Sequence, residues 1–180
     1  NGQLYFSAND GSNGYELWRI NNSGFAQMVE DAVPGGGLVP GLTSSQPVRL
    51  TNVDGTLYFV ADTAGAGGRE LWRITSSGIA ELVEDSIPLN GIRVLGGSLP
   101  DNLTNVNGTL YFSANDGPNG VELWRVNALG VAEIVDDEIV GGGINPGEGN
   151  SYPNQLTNVN GLLYFAADNS SPNSNRELWN

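Results

Sequence analysis

Cysteine, histidine and lysine are all missing from these 180 residues. Without Cys there is no disulfide, no thiolate nucleophile and no soft metal ligand. With His and Lys gone as well, the groups that most often serve as general base or activated nucleophile near neutral pH are absent, leaving carboxylates, Tyr, Ser and Arg. An enzyme is therefore not expected. Long apolar runs are lacking too, and nothing approaches the roughly 20 residues that a membrane-crossing helix needs. Positive charge is scarce: seven Arg face 20 acidic residues, for a net charge of -13. So negative a surface repels nucleic-acid phosphates and anionic lipid headgroups, which argues against nucleic-acid binding and membrane insertion and favours divalent cations or basic partners. An acidic, Lys-free chain rich in Asn, Gly and Ser points to an extracellular or cell-surface location. The chain opens at Asn1 without a Met, so any targeting segment is expected to have been removed or to lie outside these residues.

What is present is a repeat. Leu-Tyr-Phe begins at Leu4, Leu57, Leu110 and Leu163, always 53 residues apart, and Leu-Thr-Asn-Val begins at Leu50, Leu103 and Leu156 with the same interval. Trp18, Trp72, Trp124 and Trp179 are spaced 54, 52 and 55, so insertions fall between the Phe and the Trp. A fixed period of this length marks a modular architecture in which each unit buries its apolar face only against its neighbours. The 26 Gly and 9 Pro gather between the periodic segments, as a strand-rich chain with many turns requires.

Each unit parses into four short strands. In the second unit strand A covers 48–53 and Asp54-Gly55 turns it into strand B, 56–62. Asn107-Gly108 and Asn160-Gly161 take the same place. Asp-Gly or Asn-Gly between apolar runs is a strong hairpin signal, because a type I′ turn needs positive φ at two successive residues. Strand B (Leu57, Phe59 and Ala61 alternating with Tyr58 and Val60) and strand C, 70–74, are apolar on both faces and must be covered on both. Ser-Ser-Gly at 76–78 then leads into strand D, 79–85, which ends in paired acids in each unit. A crossover of 17 or 18 residues follows, where the units differ most and where specificity is expected to reside. Four antiparallel strands, two apolar faces and a long D-to-A crossover describe a β-propeller-like blade; a pair of packed sheets or a linear β stack would use the same strands. The expectation is an all-β, β-propeller-like array of four-stranded antiparallel blades in one domain, 1–180. It comprises a partial blade over 1–31 (strands B to D), blades over 48–85 and 101–137, and a partial blade over 154–180 (strands A to C).

Leu-Tyr-Phe-Xaa-Ala-Asn/Asp followed by Glu-Leu-Trp, as in Leu4-Tyr5-Phe6 and Glu16-Leu17-Trp18 and their three later copies, resembles the bacterial secreted repeats named for their Glu-Leu-Trp signature. Those repeats occur in large multi-repeat surface proteins and are similar to propeller blades. The resemblance extends over essentially the whole chain and implies an extracellular repeat protein; it brings no catalytic residue to carry over.

Glu16, Glu70, Glu122 and Glu177 recur once per unit, so architecture explains them better than glycoside hydrolysis by paired acids: an ion pair, or a hydrogen bond to neighbouring backbone. Trp18, Trp72, Trp124 and Trp179, with Phe6, Phe59, Phe112 and Phe165, are read as blade-packing residues. Tyr15 and Tyr152 stand at variable positions and are the better glycan-contact candidates. Asp101, Glu148, Tyr152 and Arg93 break the repeat and are site candidates by position. Asp10 and Asp116, each in Asn-Asp-Gly, and Asp85 and Asp137, at the ends of strand D, are the candidate metal-binding residues, with calcium as the ion. A full calcium loop needs alternating oxygen ligands and a bidentate acid further on, which the flanking residues do not supply, and Asp-Gly commonly forms only a turn.

The first unit lacks strand A, and Trp179-Asn180 stops within strand C. Such ends expose strand edges and apolar faces, and are expected to be completed by another subunit or by further repeats of a longer chain. The functional expectation is a non-enzymatic structural or adhesive repeat protein, a homo-oligomer or polymer, that self-assembles into a filament, ring or surface layer. The alternative is a carbohydrate- or calcium-binding propeller module of a larger secreted protein.

Overall fold

The computed structural model describes residues 2–32, 37–39, 44–63, 68–85, 92, 96–136, 144, 149–169 and 176–180, and no helix occurs among them. Among these residues, fourteen strands form four antiparallel sheets. Sheet I contains β1 (Tyr5–Asn9), β2 (Tyr15–Ile20) and β3 (Ala26–Met28). Sheet II contains β4 (Val48–Val53), β5 (Thr56–Asp62), β6 (Arg69–Ile74) and β7 (Ala80–Leu82). Sheet III contains β8 (Asp101–Val106), β9 (Thr109–Asn115), β10 (Val121–Val126) and β11 (Ala132–Ile134). Sheet IV contains β12 (Asn154–Val159), β13 (Leu162–Asp168) and β14 (Arg176–Trp179). Within each sheet the strands lie in chain order, so each is a meander of hairpins.

The first hairpin is made by the turn residues. Asp54 and Gly55 have φ of 48° and 92°, Asn107 and Gly108 50° and 81°, Asn160 and Gly161 52° and 85°. Two successive positive φ values give the twist that a two-residue hairpin needs. Two residues into each A strand a second positive φ appears, at Arg49, Asn102 and Gln155, where the register with strand B slips. That bulge lies between Val48↔Val60 and Thr51↔Tyr58 in sheet II and recurs in sheets III and IV. Strand D is shorter than the apolar pattern suggests: only three residues pair with strand C, and the acids that follow lie outside the ladder.

The core lies between sheets rather than within them. One cluster joins Leu17, Val29 and Leu38 to Phe59, Ala61, Trp72 and Ile74; another joins Val53, Tyr58, Leu71, Val83 and Ile92 to Phe112, Trp124 and Val126; a third joins Leu123 and Ile144 to Phe165 and Ala167. Sheets II and III thus each turn a Tyr-Leu-Val face toward the following sheet and a Phe-Trp face toward the preceding one. Period-2 alternation produces these two faces, and both are apolar because both are covered.

Candidate functional site

The most constrained chemistry of the molecule is at the junctions between sheets. Glu16, Glu70 and Glu122 are fully buried. Strand C carries each of them inward at the end of the sheet where the crossover leaves for the next unit. Glu16 accepts hydrogen bonds from the backbone N–H of Leu38 (3.1 Å) and Ser45 (2.9 Å) and from the Ser45 hydroxyl (2.6 Å). Glu122 repeats the arrangement with Ile144 N–H (3.0 Å), Ser151 N–H (2.8 Å) and the Ser151 hydroxyl (2.6 Å). Glu70 receives the Ser98 N–H at 2.8 Å and the Ser98 hydroxyl. A buried carboxylate requires such donors, since unpaired ionic groups are costly away from water.

The serines do more than bind the carboxylates. The carbonyl of Ser45 accepts from Asp62 N–H at 2.7 Å, that of Ser98 from Asn115 at 2.9 Å and that of Ser151 from Asp168 at 2.7 Å, reaching the end of strand B in the following sheet. The next residue, Gln46, Leu99 or Tyr152, has positive φ and donates its N–H back to the carbonyl of Tyr15, Arg69 or Val121 in the preceding sheet. Each serine therefore bridges two sheets and neutralises the hydrogen-bonding demand of one buried acid. Ser45-Gln46-Pro47, Ser98-Leu99-Pro100 and Ser151-Tyr152-Pro153 recur at the 53-residue interval, and Leu38, Ile92 and Ile144 are their apolar companions. The crossovers, expected to be the variable part, contain these constant anchors. The Ser-Xaa-Pro spacing was the signal that could have revealed them. Gly37 is buried against Glu16, where a Cβ would come within 2.5 Å of the carboxylate, so no larger residue fits.

At the opposite end of the sheets the hairpin turns are tied together. Asn52, Asn105 and Asn158 each accept the N–H of the turn glycine three residues on, at 2.9 Å. Asn105 then donates its amide to the carbonyl of Asn52 (3.3 Å), and Asn158 to that of Asn105 (2.9 Å), making a ladder along successive A strands. Arg19 and Arg73 reach the carbonyls of Gly78 and Gly130 in the following sheet. Backbone bonds from Ala80 to Glu30 and from Ala132 to Glu84, at 2.9 and 2.8 Å, join the D strands of neighbouring sheets.

Burial pushes the Glu16 carboxyl above its ordinary value, against the opposing pull of the Ser45 and Leu38 donors. Asp10 is held low by the N–H groups of Asn13 and Ser12 and by the Asn13 side chain. Glu133 is held low by Asn127 and Arg125, and Arg125 is raised by its bond to Glu133, a 2.7 Å ion pair.

Of the residues singled out by sequence, Phe59, Phe112, Phe165, Trp72 and Trp124 are buried between sheets, and Trp179 packs against the third cluster. Phe59 and Trp72 are cross-strand partners with ring centroids 6.5 Å apart; Phe165 and Trp179 are related in the same way at 6.4 Å. Phe6 and Trp18, on the outer face of sheet I, are half-buried. Glu177 is exposed, unlike its three counterparts. Asp10 and Asp116 are engaged by Asn13 and Asn119 in their own loops. A cavity of about 620 Å³ is lined by Asp85, Asp116 and Asp136, while Asp10 is in sheet I's own loop, and no group of three or more potential ligands suited to a metal ion occurs among the described residues. Asp101 pairs with Arg49 at 2.8 Å. Tyr15 and Tyr152 are exposed but belong to different junctions, the first between sheets I and II and the second between III and IV. Asp137, Arg93 and Glu148 lie outside the described residues. No protein-family model, no curated protein and no solved structure matches the chain.

Proposed function

We propose that the chain is a non-enzymatic structural or adhesive repeat segment, of the kind seen in the bacterial Glu-Leu-Trp repeats it resembles, whose propeller-like blades assemble with further copies of themselves outside the cell. The observation that carries this reading is the mismatch between inner and outer copies of one position. Leu17, Leu71 and Leu123 are at most 1% exposed because a following sheet covers them, whereas Leu178 is 77% exposed. Leu4, at the other end, is 59% exposed where its counterpart Leu110 is buried. The two outer faces match the two halves of the contact made at the internal junctions, so a further unit of the same repeat, in another subunit or in a longer chain, is the partner that would complement them. A contact between two different faces is heterologous and either closes into a ring or continues as a filament. Buried carboxylates saturated by backbone and serine donors fit a structural role.

Sedimentation velocity and electron microscopy over a concentration series, with and without calcium, test the proposal. Concentration-dependent rings or filaments are the expected result. A chain that stays monomeric throughout, and binds a glycan one-to-one, would establish the binding-module alternative instead.

A further inference from the structure

Asn-Gly and Asp-Gly are the dipeptides that close most readily to a succinimide, because glycine has no Cβ to shield its nitrogen from the preceding side-chain carbonyl. Among the described residues these glycines fall into two groups. In the hairpin turns, the N–H of Gly55, Gly108 and Gly161 is held at 2.9 Å by the Oδ1 of Asn52, Asn105 and Asn158. In the loops between strands B and C, Gly11 and Gly117 are held in the same way at 2.7 Å by Asn9 and Asn115. Gly14 and Gly120, which follow Asn13 and Asn119 in those same loops, are the exceptions: their N–H groups have no acceptor among the described residues. We propose that Asn13 and Asn119 are the sites at which the folded chain deamidates spontaneously, and that each event weakens the sheet junction beside it. The inference does not depend on the assembly reading.

The glycine nitrogen gives up its proton to solvent base and attacks Cγ of the asparagine. The new N–Cγ bond closes the ring as the Cγ–Nδ2 bond breaks, and the nitrogen leaves as ammonia after taking a proton from water. Water then adds to either imide carbonyl and leaves aspartate or isoaspartate, so the net change is one water in and one ammonia out. A glycine N–H already bound to an asparagine oxygen must first break that bond, whereas Gly14 and Gly120 have none to break. The side-chain amides of Asn13 and Asn119 donate to Oδ2 of Asp10 (2.8 Å) and Asp116 (2.6 Å), which engages the leaving group and not the attacking nitrogen. Conversion to aspartate replaces that donor with a second carboxylate at the same place, and two like charges so close repel. Isoaspartate inserts a backbone carbon ahead of a glycine with no room to shift: a Cβ on Gly14 would come within 2.9 Å of Ser44, and one on Gly120 within 2.5 Å of Asn150. Ser44 and Asn150 in turn hold the N–H of Tyr15 (2.8 Å) and Val121 (2.6 Å), the residues immediately before the buried Glu16 and Glu122. The hairpin position differs in this respect too, since Asp54 stands where other units have Asn107 and Asn160, and the turn accepts its carboxylate.

The test incubates the whole 180-residue chain, folded, at mildly alkaline pH and follows each Asn-Gly by tandem mass spectrometry of a chymotryptic digest, with isoaspartate counted by enzymatic methylation. Asn13 and Asn119 should lose their amides several-fold faster than Asn107 and Asn160, and the difference should vanish in urea. Asn105→Ala releases the N–H of Gly108, so Asn107 should join the fast group while Asn160, still held by Asn158, stays slow and reports that the variant is folded. Asn158→Ala provides the reciprocal comparison, with Asn160 fast and Asn107 slow. Equal rates at all four positions of the folded chain, faster loss at Asn107 and Asn160, or hairpin asparagines that stay slow in both variants overturns the assignment. Asn13→Asp installs one of the two products directly and should lower the midpoint of urea unfolding, whereas Asn160→Asp should leave it unchanged. An Asn13→Asp chain as stable as the wild type overturns the weakening of the junction.

Discussion

Glu16, Glu70, Glu122 and Glu177 hold the same place in the repeat and have different energetic roles. Removing the Glu70 carboxylate strands the N–H and hydroxyl of Ser98 in a buried site, and each buried donor left unsatisfied costs about 1–3 kcal/mol. Glu70→Ala is therefore expected to destabilise the chain by several kcal/mol in urea unfolding, whereas Glu177→Ala, at an exposed position, should change stability by less than about 0.5 kcal/mol. Equal effects of the two would show that the junction hydrogen bonds contribute nothing. Glu16 adds a pH dependence. Its folded pKa is raised above the ordinary value of 4.5, so the folded state holds its proton more tightly than the unfolded chain does. The contribution is fully present below the unfolded pKa and is lost as pH rises through the folded one. The stability of the wild type relative to non-titrating Glu16→Gln should thus fall between acidic and neutral pH. A difference that is flat or grows with pH would mean that the ionised form is the one the site favours.

At the scale of the strand, Trp72 on β6 and Phe59 on β5 show how one element serves two sheets. Their stacked rings lie on the face that sheet II turns toward sheet I, in the cluster that contains Leu17, Val29 and Leu38. Trp72→Ala should cost about 3–5 kcal/mol, the usual range for truncating a buried large aromatic. Trp72→Phe should cost less than half of the alanine loss, because it keeps a ring in the cavity and removes an indole N–H that is buried without an acceptor among the described residues. Thermal or urea unfolding of the two variants separates packing from sugar stacking: a Trp that served only as a glycan platform would lose binding in both and stability in neither. Strand D also serves two sheets. Its three-residue ladder is followed by Val29, Val83 or Val135, whose N–H still bonds to the strand C carbonyl of Leu17, Leu71 or Leu123, and the acids come only after that, where the carbonyls of Glu30 and Glu84 accept from Ala80 and Ala132 of the next sheet.

For the whole molecule, the four sheets behave as a stack pinned at both ends, by the Glu–Ser junctions at one and by the Asn ladder and the Arg–Gly bonds at the other. Such a stack has no intrinsic stopping point, since stability is a sum of unit and nearest-neighbour contributions. Leu178→Glu places a charge on the outer face of β14, where it touches no folded core. It is expected to leave the unfolding midpoint of the isolated chain within experimental error and to suppress assembly, seen as loss of the concentration-dependent fast-sedimenting species. Assembly that survives the substitution would exclude this face as the contact.

Much of this architecture could be read from residue types alone. The 53-residue period, the Asp-Gly and Asn-Gly hairpins, the two-sided apolar strands and the architectural role of Glu in Glu-Leu-Trp are local properties, set by φ preferences and by alternation along a strand. The partners of those glutamates were not legible in the same way. Leu38 and Ser45 lie 22 and 29 residues beyond Glu16, and only burial in the folded junction makes a carboxylate there demand backbone donors from a loop whose sequence otherwise varies. The Asn ladder is similar: Asn52 reads as a turn residue, and its link to Asn105 exists because successive A strands come side by side. Tertiary structure also separated the members of each repeated set. Leu17 and Leu178, or Glu122 and Glu177, are identical in local sequence, and whether a sheet covers them decides which is core and which is surface, because the hydrophobic effect and the cost of buried charge depend on what surrounds a residue rather than on the residue itself.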